Sequence, residues 1–114
     1  MVRKFEIWLA DLNPRVGTEI GKVRPVLIVQ SDLLNKVHPS TLVCPITSNV
    51  KPQSNILRVH IPKGTAQVQE DCDVVIDQLR AIDNRRLLRK IGKLPRPLSK
   101  AVQENLRIVL DLDA

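Results

Sequence analysis

Val26-Leu27-Ile28-Val29 is an uninterrupted aliphatic run, closed by Arg24-Pro25 on one side and Gln30 on the other. A continuous β-branched and aliphatic run of this length suits a strand covered on both faces, and it predicts the central strand of the fold at Arg24–Gln30. Proline cannot donate to a sheet ladder, so Pro25 belongs at the strand's start or on an unpaired edge, and Arg24 falls where the strand meets the preceding loop. That loop, Asn13 to Val23, holds Pro14, Gly17 and Gly21 with Arg15, Glu19 and Lys22 between them. A polar loop ending on a rigid apolar strand is a usual place for function.

The rest of the pattern is read around this strand. Phe5–Leu12 is a first strand, with Phe5, Ile7 and Leu9 on one face and Trp8, Ala10 and Leu12 on the other, so both faces carry apolar groups. Ser31–Asn35 is expected to cap and form one helical turn, stopped by Pro39. Thr41–Ile46 is a third strand; the polar group Thr47-Ser48-Asn49 follows it, which puts Thr47 at a strand end as Arg24 is. Ile56–Ile61 alternates as a half-buried strand, and Pro62-Lys63-Gly64 turns the chain. Val74–Ile76 and Gln78–Ile82 read as two strand pieces or as one bent strand interrupted around Asp77, a bend that would expose Asp77 and Gln78.

Asp83–Leu87 fits a short turn or 3₁₀ segment, and Lys90–Leu94 a short last strand. After Pro97 the positions Leu98, Ala101, Val102, Asn105, Leu106, Val109 and Leu110 form a stripe at helical spacing. Many short strands with one terminal helix predict a mainly β protein: a small, bent antiparallel sheet or barrel with a C-terminal α-helix, and not a parallel sheet with helical crossovers.

Composition adds limits. The 114 residues make one domain, 1–114, with 43% hydrophobic and 26% charged residues. No apolar run approaches the roughly 20 residues that span a bilayer, and the first residues lack a small-residue cleavage site, so a soluble, cytoplasmic protein without membrane association is expected. Cys44 and Cys72 are isolated thiols, read as core or bystander residues, and His38 and His60 are lone. No metal-ligand spacing emerges, and no cofactor is expected.

The formal net charge of +6 is unevenly placed. From Arg80 to Lys100 eight basic residues meet the single acid Asp83, whereas Glu70, Asp71, Asp73 and Asp77 lie just before. Charge alone leaves two readings open, a solvated face or attraction to nucleic acid or an acidic partner. Phe5 and Trp8 are the chain's aromatic residues, so recognition of successive bases by stacking is excluded as a main device; charge and hydrogen bonds would have to serve. Trp8 itself reads as core or dimer interface.

Several of these segments together resemble a known family. Trp8, Asp11-Leu12-Asn13-Pro14, Gly17-Thr18-Glu19, Arg24-Pro25-Val26-Leu27, Pro45-Ile46-Thr47-Ser48, Asp77-Gln78-Leu79-Arg80-Ala81-Ile82 and Ile91-Gly92 fall in the order and spacing of the MazF/PemK-type toxins, over Glu6 to Leu112. The resemblance implies the small barrel of the MazF/PemK/CcdB toxins. It also implies a homodimer, and a metal-independent endoribonuclease that cuts single-stranded RNA and is neutralised by an antitoxin with a disordered acidic segment. By the same resemblance Arg24 is the catalytic arginine, Thr47 its partner and Glu19 the candidate base. Arg15, Lys22, Ser48, Asp77, Gln78 and Arg80 are the expected substrate-binding residues.

Where some relatives carry a further arginine two residues before the aspartate, Val75 stands here, which makes an architectural role for Asp77 and Gln78 an alternative. RNA can be cut without a metal by its own 2′-hydroxyl, given a proton acceptor and charge stabilisation at the phosphate. A gyrase poison of the CcdB type is the alternative within the same fold. Such toxins end in Trp-Gly-Ile, whereas this chain ends Leu110-Asp111-Leu112-Asp113-Ala114. A catalytically silent RNA- or antitoxin-binding module is a second alternative.

Overall fold

Strand β2 (Val23–Ile28) lies inside a seven-stranded sheet between β1 (Glu6–Asp11) and β3 (Ser40–Thr47), pairing antiparallel with both. This is a computed structural model describing residues 1–112; Asp113 and Ala114, the end of the predicted domain, lie outside the described residues. The remaining elements are α1 (Asp32–Asn35), β4 (Arg58–Ile61), β5 (Cys72–Val75), β6 (Arg80–Asp83), β7 (Leu87–Lys93) and α2 (Arg96–Val109). The sheet runs β4-β5-β3-β2-β1-β7, and β6 also pairs with β3. All these pairings are antiparallel.

The two-faced apolar pattern of β1 and β2 becomes two cores, because successive strand residues point to opposite sides. Ile7 and Leu27 join Cys44, Ile46, Val74 and Val102 in the larger cluster, against which the Leu98–Leu106 stripe of α2 packs. Ala10, Val26 and Ile28 join Leu12, Val43 and Ile82 on the other side. Trp8 is half-buried against this second cluster and donates its indole N–H to Glu6 Oε1 at 3.0 Å. Both cysteines are buried in the first cluster, and burial pushes their thiols up, Cys44 to about 12 and Cys72 to about 11.

β5 and β6 pair with successive parts of the same strand, β3, and are separated by a 3₁₀ turn at Ile76–Gln78. The interrupted strand expected around Asp77 is therefore present. Ser31 caps α1 through Leu33 N–H, and Asp83 caps a 3₁₀ turn at Asn84–Arg86. Several boundaries differ from expectation. β2 stops at Ile28, since Gln30 turns its side chain to Asn35 and the Ser40 carbonyl. β7 begins at Leu87, three residues early, because pairing with β1 from Glu6 to Ala10 holds a segment of weak intrinsic pattern. β4 starts only at Arg58, leaving Ile56 and Leu57 exposed, and Leu110 of the helical stripe is exposed beyond the last turn of α2.

Candidate active site

Register brings Arg24 and Thr47 together. β2 and β3 pair as Val26↔Pro45, Leu27↔Cys44 and Ile28↔Val43, and the same register continued by two residues sets Arg24 opposite Thr47. Thr47 pairs in turn with Asp73, and Asp73 with His60. Cross-strand partners share a face, so Arg24, Thr47, Asp73 and His60 form one polar row across four strands.

Arg24 is half-buried, and burial lowers its pKa from the ordinary guanidinium value. Its Nε donates to the Gly21 carbonyl at 2.7 Å, which leaves the two terminal NH₂ groups of the fork available. The Thr47 hydroxyl oxygen accepts the Asn49 N–H at 3.1 Å, so the hydroxyl proton is free to donate.

These two residues line a cleft of about 490 Å³ whose other wall is the loop: Asn13, Arg15, Thr18, Glu19, Ile20, Gly21 and Lys22. The loop is held by a few polar ties. Asn13 Oδ1 accepts Lys22 N–H at 2.9 Å, and Leu12 N–H donates to the Lys22 carbonyl at 2.9 Å. Arg86 Nη1 donates to the carbonyls of Asp11, at 3.0 Å, and Asn13. Gln78 accepts Ile20 N–H at 3.0 Å and donates to the Thr18 carbonyl at 3.0 Å. Gly21 is required by close approach, since a Cβ there would lie 2.7 Å from Arg15 Cβ. Arg15 donates through Nε to the Gly17 carbonyl at 3.2 Å, and Glu19 is exposed.

Of the expected site residues, the structure thus gathers Arg24, Thr47, Glu19, Arg15 and Lys22 around one cleft. Ser48, Asp77, Gln78 and Arg80 are not among its lining residues. Ser48 is exposed beside Thr47, and Asp77 is exposed at the strand break. Arg80 is half-buried with Nη1 shielded from solvent. The amide of Gln78 is engaged at both ends by the loop backbone, one bond accepted and one donated.

Sequence reasoning missed Asp73, Arg58 and His60. Asp73 is fully buried and accepts from Lys51 N–H (2.9 Å), Arg58 Nη1 (3.2 Å) and His60 Nδ1 (2.5 Å). Arg58 also donates to the Asn49 carbonyl at 3.1 Å, so the loop after Thr47 is tied down from β4 and β5. A buried carboxylate requires such donors, and the signal was an acid inside the apolar run Cys72-Asp73-Val74-Val75.

The basic run is divided. Arg85 pairs with Asp83, Arg86 ties the loop, and Lys90 pairs with Glu6 at 2.9 Å. Arg89 instead borders a second cleft of about 570 Å³, with Leu9, Pro25, Val68 and Ile91. That cleft is larger, but Arg24 and Thr47 do not line it; the convergence of polar groups favours the smaller one. Among the described residues no group of three or more His, Cys, Asp or Glu is placed to hold a metal ion, and no helix is long and apolar enough to cross a membrane.

Residues 3–110 match the model of the PemK-like, MazF-like toxins of type II toxin–antitoxin systems. The curated Bacillus subtilis (strain 168) protein endoribonuclease EndoA is 35% identical over 112 residues, 98% of this chain and 97% of the relative. Among solved structures, the Mycobacterium tuberculosis toxin MazF-mt6 superposes with a TM-score of 0.80 at 26% identity, covering 96% of this chain and 99% of that one. A Deinococcus radiodurans MazE–MazF structure gives a TM-score of 0.77 at 23% identity, covering 98% and 97%, a likeness of fold.

Proposed function

The chain belongs to the PemK-like, MazF-like toxins of type II toxin–antitoxin systems, and we propose that it is an endoribonuclease that cuts single-stranded RNA without a metal, at the Arg24–Thr47 cleft. The observation that carries the site is the register that sets Arg24 beside Thr47 at two strand ends, opposite the loop that bears Glu19.

The reaction uses the substrate's own 2′-hydroxyl. Glu19 takes its proton, the 2′-oxygen bonds to phosphorus, and the P–O5′ bond breaks. The products are a 2′,3′-cyclic phosphate and a 5′-hydroxyl, the 5′-oxygen taking a proton from solvent while Glu19 gives up to solvent the one it took, so that protons balance over the turnover. Arg24 meets the charge that grows on the phosphate with its fork of donors; it remains protonated, so it acts as an electrostatic clamp and not as the acid. Thr47 adds one hydrogen bond to the same phosphate through its free hydroxyl proton. Lys22 and Arg15, on the cleft's loop wall, attract the RNA backbone.

Family membership makes a cognate antitoxin the partner, and we propose that its acidic segment competes with RNA for this cleft, on a homodimer in the cytoplasm. The gyrase-poison alternative is less well supported, since the curated relative described above is an endoribonuclease. The test is digestion of single-stranded RNA by wild type and Arg24→Ala in excess EDTA. Cleavage by wild type and not by the variant is expected; cleavage only on addition of Mg²⁺ would reject the mechanism.

A further inference from the structure

We propose that Gln78 is a positioning residue for the base, acting on Glu19 through the loop backbone and not on RNA. The inference rests on the reading of Glu19 as the base. Glu19 is exposed on a loop whose residues 13–19 are all exposed, so its orientation has to come from its own main chain. The two peptide groups that flank it are the ones Gln78 holds: Oε1 accepts Ile20 N–H and Nε2 donates to the Thr18 carbonyl, both at 3.0 Å. One planar amide thereby fixes the chain before and after Glu19.

The clamp comes from outside the loop, across 58 and 60 residues of sequence. It stands on the 3₁₀ turn Ile76–Gln78, between two strands that both pair with β3, the strand that ends in Thr47. Ile76 of that turn is fully buried in the larger core. The break in the strand therefore has a use: it takes Gln78 out of the ladder and delivers its amide to the loop, so that Glu19 and Thr47 are both referenced to β3. A base held about 1 Å out of place can lose on the order of a hundredfold in rate, which is the scale open to such a clamp.

The test uses four full-length proteins: wild type, Glu19→Gln, Gln78→Met and the double variant. Methionine keeps the length of the side chain and removes both hydrogen bonds. Amide hydrogen exchange at Ile20, thermal melting and single-turnover cleavage of a single-stranded RNA oligonucleotide over a range of enzyme concentrations are measured on each. Gln78→Met is expected to speed Ile20 exchange about tenfold or more, because the amide loses its acceptor. It should lower the maximal rate by about ten- to a hundredfold with half-saturation within about twofold, and leave the melting temperature unchanged.

In the Glu19→Gln background Gln78→Met should cost nothing further, since a misplaced base that is already absent cannot be lost twice. Unchanged Ile20 exchange, an effect confined to half-saturation, or the same rate loss added to a slow Glu19→Gln would overturn the clamp while leaving Glu19 as the base. Glu19→Gln cleaving at the wild-type rate would instead remove the base assignment, and the clamp's purpose with it.

Discussion

The two walls of the cleft are built in different ways. Arg24 and Thr47 stand at the ends of β2 and β3, whose paired residues Val26, Leu27, Ile28, Val43 and Cys44 are buried in the two cores. The spacing of Arg24 and Thr47 is set by ladder register and shares the stability of the whole domain. The facing wall, Asn13 to Lys22, has no buried apolar side chain and is kept by ties from Asn13, Arg24, Arg86 and Gln78. A wall of that kind can open locally at a cost well below global unfolding. Stability and activity should therefore be separable by choosing the wall that is changed.

The widest separation comes from a pair of substitutions. Leu27→Ala, in the strand wall, removes a fully buried side chain and should lower unfolding free energy by about 2–5 kcal/mol in a urea titration. Gly21→Ala, in the loop wall, puts a Cβ against Arg15 and should reduce cleavage severalfold with the urea midpoint unmoved. Equal loss of stability in both would mean that the loop is not an independent unit.

Next in size is Arg24. Arg24→Ala should lower the single-turnover rate by about 10²–10³, the scale of a preorganised charge stabiliser, with an unchanged circular dichroism spectrum. Arg24→Lys should lose most of the same activity, since a point charge cannot reproduce a two-pronged donor. Thr47→Val comes below it: one hydrogen bond to a charged phosphate is worth ~1.5–3 kcal/mol, roughly ten- to a hundredfold in rate. Near wild-type cleavage by either variant would move the site away from the strand ends.

The smallest effects test the basic run. Lys22, in the loop wall, should contribute to RNA binding evenly across sequences, and Lys22→Ala should lower the slope of log affinity against log salt by about 0.7. Arg85, already paired with Asp83, should leave that slope unchanged when replaced by Ala. A loss of slope at Arg85 would restore the reading of Arg80 to Lys100 as one continuous binding surface.

What the sequence disclosed divides along the same line. Val26-Leu27-Ile28-Val29, the alternation of β1 and the stripe of α2 are local patterns, and each named its element and its buried side. Arg24 and Thr47 could be placed at strand ends because strand ends are marked by proline and by a switch from apolar to polar residues. The clamp at Gln78 and the tie from Arg86 join residues far apart in the chain, and periodicity carries no trace of them; Asp73 showed only as an acid inside an apolar run, without its partners. Charge left two readings open for the same reason: basic residues adjacent in sequence alternate across β7, so that Lys90 meets Glu6 while Arg89 faces another cleft.

The most direct measurement is the chemical identity of the RNA ends. Wild-type protein and Arg24→Ala are incubated with a single-stranded RNA in excess EDTA, and the products are resolved by mass and by their response to phosphatase and kinase. Wild type is expected to leave 2′,3′-cyclic phosphate and 5′-hydroxyl ends, with the Arg24 variant leaving the RNA intact. Ends bearing a 5′-phosphate, or cleavage at near the wild-type rate without Arg24, would contradict a metal-independent 2′-hydroxyl attack at this cleft.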